Sequence, residues 1–221
     1  MSRLEHPVVD ARQLAGLRTL VAQGEGQRLE FKRKAAFPEK IVRELIALAN
    51  TEGGILLVGV DDDGSIPGVK FPEEEELVIR QALEMYCRPR LVPEMRLIRV
   101  SEKRFVLWVE VERSAQRPHY LEEEGRRVSF VRQKDQSIRA SREMVEVIRR
   151  LKTLTGMKFP YGDAEQKVIR FLATHPVITL PEFAKITHLK RFVASRKLVR
   201  LVLANVLRIT PTDKGDLYSR V

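Results

Sequence analysis

The alternation of apolar and polar positions predicts a compact α/β unit in the first part of the chain. Residues 40–51 place apolar side chains at helical spacing, and Gly53 and Gly54 end the predicted helix. Residues 55–60 form an almost unbroken apolar run of strand length, which is typical of a strand covered on both faces. Upstream, residues 28–32 alternate in polarity and predict a strand with one buried face.

Further elements extend this unit into a mixed fold. The same patterns predict a helix from Asp10 or Ala11 to near Gly24, a helix over 73–86, a hairpin of strands 96–100 and 105–111, a strand over 126–132 and a helix from Ser141. The predicted fold class is therefore α/β, an α+β arrangement around a mixed sheet.

The C-terminal part has a different rhythm, which indicates a second domain. Its predicted elements are a helix over 163–175, an extended stretch over 177–180, helices over 181–187 and 191–206, and a hairpin of 207–210 with 217–221. This is the order of a small winged helix-turn-helix domain. Glycine and proline then mark the linker, so the predicted domains are 1–152 and 163–221, joined by 153–162.

The net charge indicates the class of binding partner. The 221 residues carry a formal net charge of +10. Residues 163–221 hold eleven Lys and Arg against five Asp and Glu, a net +6, which leaves +4 for the rest of the chain. Excess positive charge favours phosphate backbones, so nucleic acid is the expected partner, although many soluble proteins are basic without a specific reason.

Composition excludes several other classes. No apolar run approaches the length that crosses a bilayer, and the first residues lack a signal-peptide segment, so we expect a cytoplasmic protein with no membrane partner. The single cysteine, Cys87, excludes an internal disulfide and a cysteine-rich zinc site. The four histidines lie far apart, which disfavours a histidine metal site.

Several motifs resemble a known family. EFKRK, ALANTEGGILLVGVDDDGSIPG and, further on, RVSFVRQKDQSIRAS are similar to the Schlafen/AlbA-type domain, over roughly the first two thirds of the chain. The resemblance implies a nucleic-acid-binding domain of the DNA-binding type. It departs from the family pattern at 133–136, where Gln-Lys-Asp-Gln stands in place of a Gly-Ser pair after the strand-final arginine.

The same resemblance implies an enzyme as the alternative. In the Schlafen enzymes that cut RNA, the positions matching Glu25, Glu30 and Asp61 hold a catalytic divalent ion, Mg²⁺ or Mn²⁺. Against this, an odd separation on a regular strand puts Glu25 and Glu30 on opposite faces unless Gly26 bends the chain. The structural alternative has Glu30 paired with a neighbouring cation and Asp61 in a turn.

Clustered basic residues are the candidate nucleic-acid contacts. They are Lys32, Arg33, Arg126 and Arg132 in the first domain, and Lys190, Arg191, Arg196, Lys197 and Arg200 in the presumed recognition helix. Lys190 to Arg196 are expected to reach bases and the others phosphates. Each cluster of the first domain can equally be a solvated edge or rim, whereas the alternative for the C-terminal domain is a protein-protein module. The recognition helix carries more apolar residues than one stripe needs, which indicates a dimer or interdomain face.

The leading interpretation is a DNA-binding transcriptional regulator that requires no cofactor, with RNA as the alternative ligand. A nucleotide-binding regulator is the third interpretation. It is disfavoured because the chain has no Gly-x4-Gly-Lys-Ser/Thr loop.

Overall fold

A computed structural model of the protein describes Val8, residues 10–151 and residues 161–221. It divides into two compact units, up to Ser137 and from Ile138 to Val221. Most of the predicted linker, 153–160, lies outside the described residues.

The first unit contains amphipathic helices whose starts follow from sequence. The carboxylate of Asp10 accepts the N–H of Arg12 at 2.8 Å and caps α1, whereas Pro38 and Pro72 open the next two helices. The helices are α1 (Ala11–Val21), α2 (Pro38–Asn50) and α3 (Pro72–Tyr86).

The strands of this unit are mostly short. They are β1 (Leu29–Lys32), β2 (Gly53–Val58), β3 (Cys87–Arg88), β4 (Glu94–Ser101), β5 (Arg104–Glu112), β6 (Tyr120–Glu123), β7 (Arg126–Val128), β8 (Phe130–Gln133) and β9 (Gln136–Arg139). The division between the units falls within β9.

The main sheet is mixed, as predicted, with strand order β1-β2-β5-β4. β1 and β2 are parallel, and the other pairs are antiparallel. Apolar residues on one face pack with α1, including Leu29 and Phe31, and those on the other face pack with α2 and α3, including Leu56 and Val58. The sheet is therefore covered on both sides, which explains the continuous apolar run of β2.

The prediction of a single strand over 126–132 is wrong. The structure breaks it at Ser129, so that β7 pairs with β6 in the sheet β3-β6-β7, whereas β8 pairs with β9. The side chain of Ser129 is buried and donates to the carbonyl of His119 at 2.9 Å. The chain changes partner strand at this residue.

The second unit contains α4 (Arg142–Arg150), α5 (Asp163–Phe171), α6 (Leu180–Thr187), α7 (Arg191–Leu203), β10 (Leu207–Thr210) and β11 (Leu217–Arg220). Ile178 bridges Tyr218 of β11, so the extended stretch before α6 joins the hairpin. From α5 onward the element order is the predicted one, and its core includes Val168, Phe183 and Leu198. Its assignment as a winged helix stays a prediction.

One boundary differs from expectation. The helix α4, predicted to close the first domain, is grouped with the C-terminal helices. Polar contacts within the unit explain this: the hydroxyl of Ser141 donates to Asp216, and the hydroxyl of Ser195 donates to Glu143 at 2.5 Å.

Within the described part of the chain, no helix combines the length and the apolar character needed to span a bilayer.

Candidate nucleic-acid interface

A buried ion pair lies on the α2 side of the main sheet. Because side chains alternate along β1, Leu29 and Phe31 face α1 and Glu30 faces the other way. There, Arg132 of β8 lies with its Nη2 2.7 Å from Oε2 of Glu30 and its Nη1 3.2 Å from Oε2 of Glu44, on α2.

The guanidinium of Arg132 makes four hydrogen bonds beside its ion pair with Glu30. It donates to Oε2 of Glu44 at 3.2 Å, to the carbonyls of Gly26 at 3.0 Å and Leu29 at 3.1 Å, and to the hydroxyl of Ser137 at 3.3 Å. The residue is only 2% exposed. The prediction that Arg132 contacts phosphate is therefore corrected: its guanidinium is fully used inside the protein.

Sequence reasoning missed the role of Arg132 because its partners are distant along the chain. An arginine at the end of a polar-apolar strand has the pattern of an exposed rim residue. Its partner carboxylates lie on β1 and α2, and only the fold brings them to β8.

Glu30 itself is held by two cations. Lys32 donates to its Oε1, and Nη2 of Arg132 forms an ion pair with its Oε2. Burial nevertheless raises the pKa of Glu30 above its usual value, and the nearby carboxylate of Glu44 raises it further, while Lys32 and Arg132 oppose this rise. The structural alternative for Glu30, a pairing with Lys32, is thus what the structure has.

The other two acids of the nuclease alternative also have local partners. Oε1 of Glu25 accepts the backbone N–H of Phe31 at 2.8 Å, and Oδ2 of Asp61 lies 3.7 Å from Nη1 of Arg33. Asp61 also accepts from the hydroxyl of Ser65 at 3.3 Å.

These acids do not fit a shared divalent ion. Among the described residues, no three Asp, Glu, His or Cys side chains lie close enough together to hold a metal. Glu30 is committed to Lys32 and Arg132, and it faces Arg132 rather than open solvent. No step of a metal-dependent cleavage is derived from this arrangement.

The Asn-Thr-x-Gly-Gly motif is structural in this chain. Asn50, 3% exposed at the end of α2, accepts the N–H of His119 at 2.8 Å. Its amide donates to the hydroxyl of Ser129 at 3.0 Å and to the carbonyl of Phe130 at 2.9 Å. One side chain thus fixes the segment before β6 and the break between β7 and β8.

In the rest of the motif, Thr51 holds β8 in place and Gly54 allows two backbone segments to lie close together. The hydroxyl of Thr51 accepts the N–H of Arg132 at 2.9 Å. Gly54 has φ +156°, and a Cβ there would lie 2.5 Å from the carbonyl oxygen of Arg28. Only glycine permits that approach at this backbone angle.

The remaining basic candidates of the first unit lie at its surface. Arg33 and Arg126 are exposed, whereas Lys32 is half-buried against Glu30. Arg33 and Arg126 therefore stay available for phosphate.

In the second unit, most of the predicted contacts are exposed. Lys190, Arg191 and Arg196 are exposed, and Arg200 is partly so. Lys197 is the exception, because its Nζ donates to Oε1 of buried Glu165 at 2.6 Å. It holds α5 against α7, and we remove it from the candidate contacts.

Sequence reasoning missed residues beside these. Arg142 and Arg150 of α4, with exposed Phe192 of α7, line the same open groove as Arg191, Arg196 and Arg200. No local pattern could have paired α4 with α7, because the two helices are far apart in sequence and meet only in the fold.

Comparison with known proteins places the first unit. The model of the family described as Schlafen, AlbA_2 matches residues 25–141, more than half of the chain. The chain belongs to the Schlafen, AlbA_2 family. The resemblance seen in the sequence motifs is thereby confirmed.

The match to the Schlafen, AlbA_2 family ends before α4. It includes Glu30, Asn50 and Arg132, and hence both buried networks. The groove between α4 and α7, whose arginines begin at Arg142, lies beyond it.

Two solved structures also resemble part of this Schlafen, AlbA_2 family member. DIP2311 from Corynebacterium diphtheriae aligns over 65% of this chain and 34% of its own, with 21% identity and a TM-score of 0.46. This chain thus spans about a third of that protein's length. The N-terminal domain of a candidate ATP-dependent DNA helicase, RecG-related, from Nitrosomonas europaea aligns over 54% of this chain and 87% of its own, with 25% identity and a TM-score of 0.44.

Proposed function

We propose that this protein binds nucleic acid, with duplex DNA preferred over RNA, and acts as a transcriptional regulator in the cytoplasm. The observation that carries the proposal is the group of exposed cations near the start of α7, Lys190, Arg191 and Arg196. Membership of the Schlafen, AlbA_2 family supports the same class of ligand.

In this proposal, residues 163–221 act as a winged helix-turn-helix domain. α6 and α7 are joined by a short turn in which His188 adopts a left-handed conformation, with φ 55°. α7 is then the recognition helix, and its N-terminal residues are the ones that meet the major groove. The β10–β11 hairpin is the wing, with Arg208 and Lys214 exposed.

The contacts divide into two kinds. Arg191 and Arg196, near the start of α7, reach base edges, where arginine pairs with guanine by two hydrogen bonds. Phe192 lies between them and is 70% exposed, which suits an apolar contact with a thymine methyl group. Arg33 and Arg126 of the first unit, with Arg200, supply phosphate contacts that position the protein without selecting a sequence.

The test is a binding titration of the full chain against labelled duplex DNA, single-stranded DNA and RNA, followed by fluorescence anisotropy between about 50 and 200 mM salt. We expect the tightest binding to duplex DNA, with affinity falling linearly on a logarithmic salt scale. Replacing Arg191 and Arg196 together by alanine is expected to weaken duplex binding about tenfold or more.

The matched control replaces two exposed cations of α5, Lys167 and Arg170, by alanine. It removes the same charge from the same unit, on a different helix. Equal losses in the two double variants, or no salt-sensitive binding by the unaltered protein, would contradict the proposal.

A further inference from the structure

An open groove of about 760 Å³ lies between α4 and α7. Its walls carry an unusual number of guanidinium groups, from both helices. They are Arg142, Arg150, Arg191, Arg196 and Arg200.

The groove is positive because the five arginines that line it outnumber its two acids, Glu143 and Glu146. Glu146 lies 2.6 Å from Nε of Arg150 and 3.1 Å from Nη1 of Arg149, and Glu143 accepts the hydroxyl of Ser195. In the described part of the chain, Arg142, Arg191 and Arg200 have no ion-pair partner. Unpaired guanidiniums that face a common concavity attract anions.

The spacing of these arginines suits a chain of phosphates better than a single anion. Arg142 and Arg150 lie eight residues apart on α4, about 12 Å at the rise of a helix. On α7, the phosphate contact Arg200 lies nine residues beyond the base contact Arg191, about 13.5 Å. One DNA strand carries a phosphate about every 3.4 Å of helix axis, so the α4 wall is long enough to run past more than one phosphate.

The position of α4 beside α7 is fixed before any ligand arrives. Glu143 accepts from Ser195 of α7, and Ser141, which caps α4, donates to Asp216 in the turn before β11. Met144 and Val147 of α4 are also buried. Held on both sides, the arginines of α4 need little further ordering to bind.

We propose that α4 is part of the nucleic-acid interface, and that the groove between α4 and α7 takes the sugar-phosphate backbone of one strand of duplex DNA. Arg142 and Arg150 are the new phosphate contacts, and they add affinity without sequence preference. The inference rests on the proposed function and adds to it a second helix, outside the span of the family match.

The test replaces Arg142 and Arg150 together by alanine in the full chain. Each phosphate contact contributes about 0.9 to the slope of log affinity against log salt, so we expect the slope to fall by about 2. The loss of affinity should be the same on duplexes of unrelated sequence. The Lys167→Ala/Arg170→Ala variant is the charge-matched control, and its slope should stay close to that of the unaltered protein.

A second variant separates charge from packing. Replacing Arg142 and Arg150 by lysine keeps two cations in the groove, and we expect it to restore most of the slope. An alanine variant that has lost α4 docking would show a lower unfolding temperature, and the lysine variant then carries the test. A lysine variant with as small a slope as the alanine variant would overturn the phosphate-contact role.

The outcomes distinguish the inference from the function beneath it. Absence of duplex binding by the unaltered protein overturns the proposed function. Duplex binding that is weakened by the Arg191→Ala/Arg196→Ala change but not by the α4 changes overturns the inference alone. An effect of the α4 changes on single strands but not on duplexes overturns the assignment to duplex DNA.

Discussion

Arg132 brings five N–H donors and a full positive charge to a place that water does not reach. Burying an unpaired charge is strongly unfavourable, so the residue persists there only because Glu30 and Glu44 balance it and neighbouring acceptors take the remaining N–H groups. The dependence is mutual, since both carboxylates are themselves buried. At the scale of single residues, this is the most sensitive point of the first unit.

Replacing Arg132 by alanine should therefore lower the free energy of unfolding by about 3–5 kcal/mol, because it leaves two buried carboxylates without their shared cation. Chemical denaturation followed by circular dichroism measures this. The control is Arg126→Ala, an exposed arginine of the neighbouring strand β7, for which we expect a change within about 0.5 kcal/mol. Similar effects of the two changes would show that Arg132 is not part of a stabilising network.

At the scale of elements, single polar side chains join segments that are distant in sequence. Asn50 joins the end of α2 to the strands around Ser129, and Asp216 joins the turn before β11 to the cap of α4. Amphipathic helices and their caps follow from local patterns, and so α1, α2 and α4 were predicted close to their observed bounds. The break of the 126–132 strand could not be predicted, because its cause is a hydrogen bond to a residue of α2.

The same reasoning divides the candidate site. The exposed arginines at the start of α7 follow from its sequence alone. The engagement of Lys197 by Glu165, and the groove with Arg142, depend on how the helices pack. Side chains whose partners are local were predicted, and those whose partners come from another element were not.

The contact between Asp216, in the turn before β11, and Ser141, which caps α4, is expected to depend on pH. Burial raises the pKa of Asp216, the hydrogen bond from Ser141 lowers it, and Glu143 raises it. The raised pKa belongs to the folded state, so between the ordinary aspartate value, about 3.9, and the folded value the folded protein keeps a proton that the unfolded chain releases. The free energy of unfolding should therefore fall as the pH rises through this window.

The side chain in Asp216→Asn cannot titrate. The part of the pH-dependent fall in the free energy of unfolding that Asp216 causes should therefore be absent from this variant. We expect the difference in free energy of unfolding, variant minus unaltered protein, to be larger at pH 7 than at pH 4. Denaturant unfolding at both values measures the difference, with Asp213→Asn, an exposed residue of the same turn, as the control. A stability difference that does not change with pH would show that Asp216 ionises normally in the folded protein.

At the scale of the whole molecule, positive charge is concentrated toward the C-terminal end. The second unit, residues 138–221, holds seventeen Lys and Arg against seven Asp and Glu, which is the whole net charge of +10. The first unit uses much of its own charge internally, because Lys32, Arg43 and Arg132 all pair with buried carboxylates. We therefore expect the second unit to dominate the affinity for nucleic acid, with the first unit adding contacts through Arg33 and Arg126.

This arrangement predicts binding without a metal requirement. Incubated with labelled RNA and duplex DNA in Mn²⁺ or in chelator, the protein should bind equally well and leave the substrates intact, since Glu25, Glu30 and Asp61 do not converge in the described structure. One gel scores both binding and cleavage. Cleavage that requires Mn²⁺ and is lost in Glu30→Gln would revive the nuclease alternative and contradict the structural role of that residue.

The pairing of Glu30 and Glu44 through Arg132 also bears on whether this site needs an ion from solution. In many proteins two buried carboxylates are bridged by a divalent ion, which the solution must supply and a chelator can withdraw. Here the bridging cation is covalently part of the chain and cannot dissociate. Glu30 and Glu44 thus have a counter-ion that belongs to the chain itself, and their pairing does not use an ion from the medium.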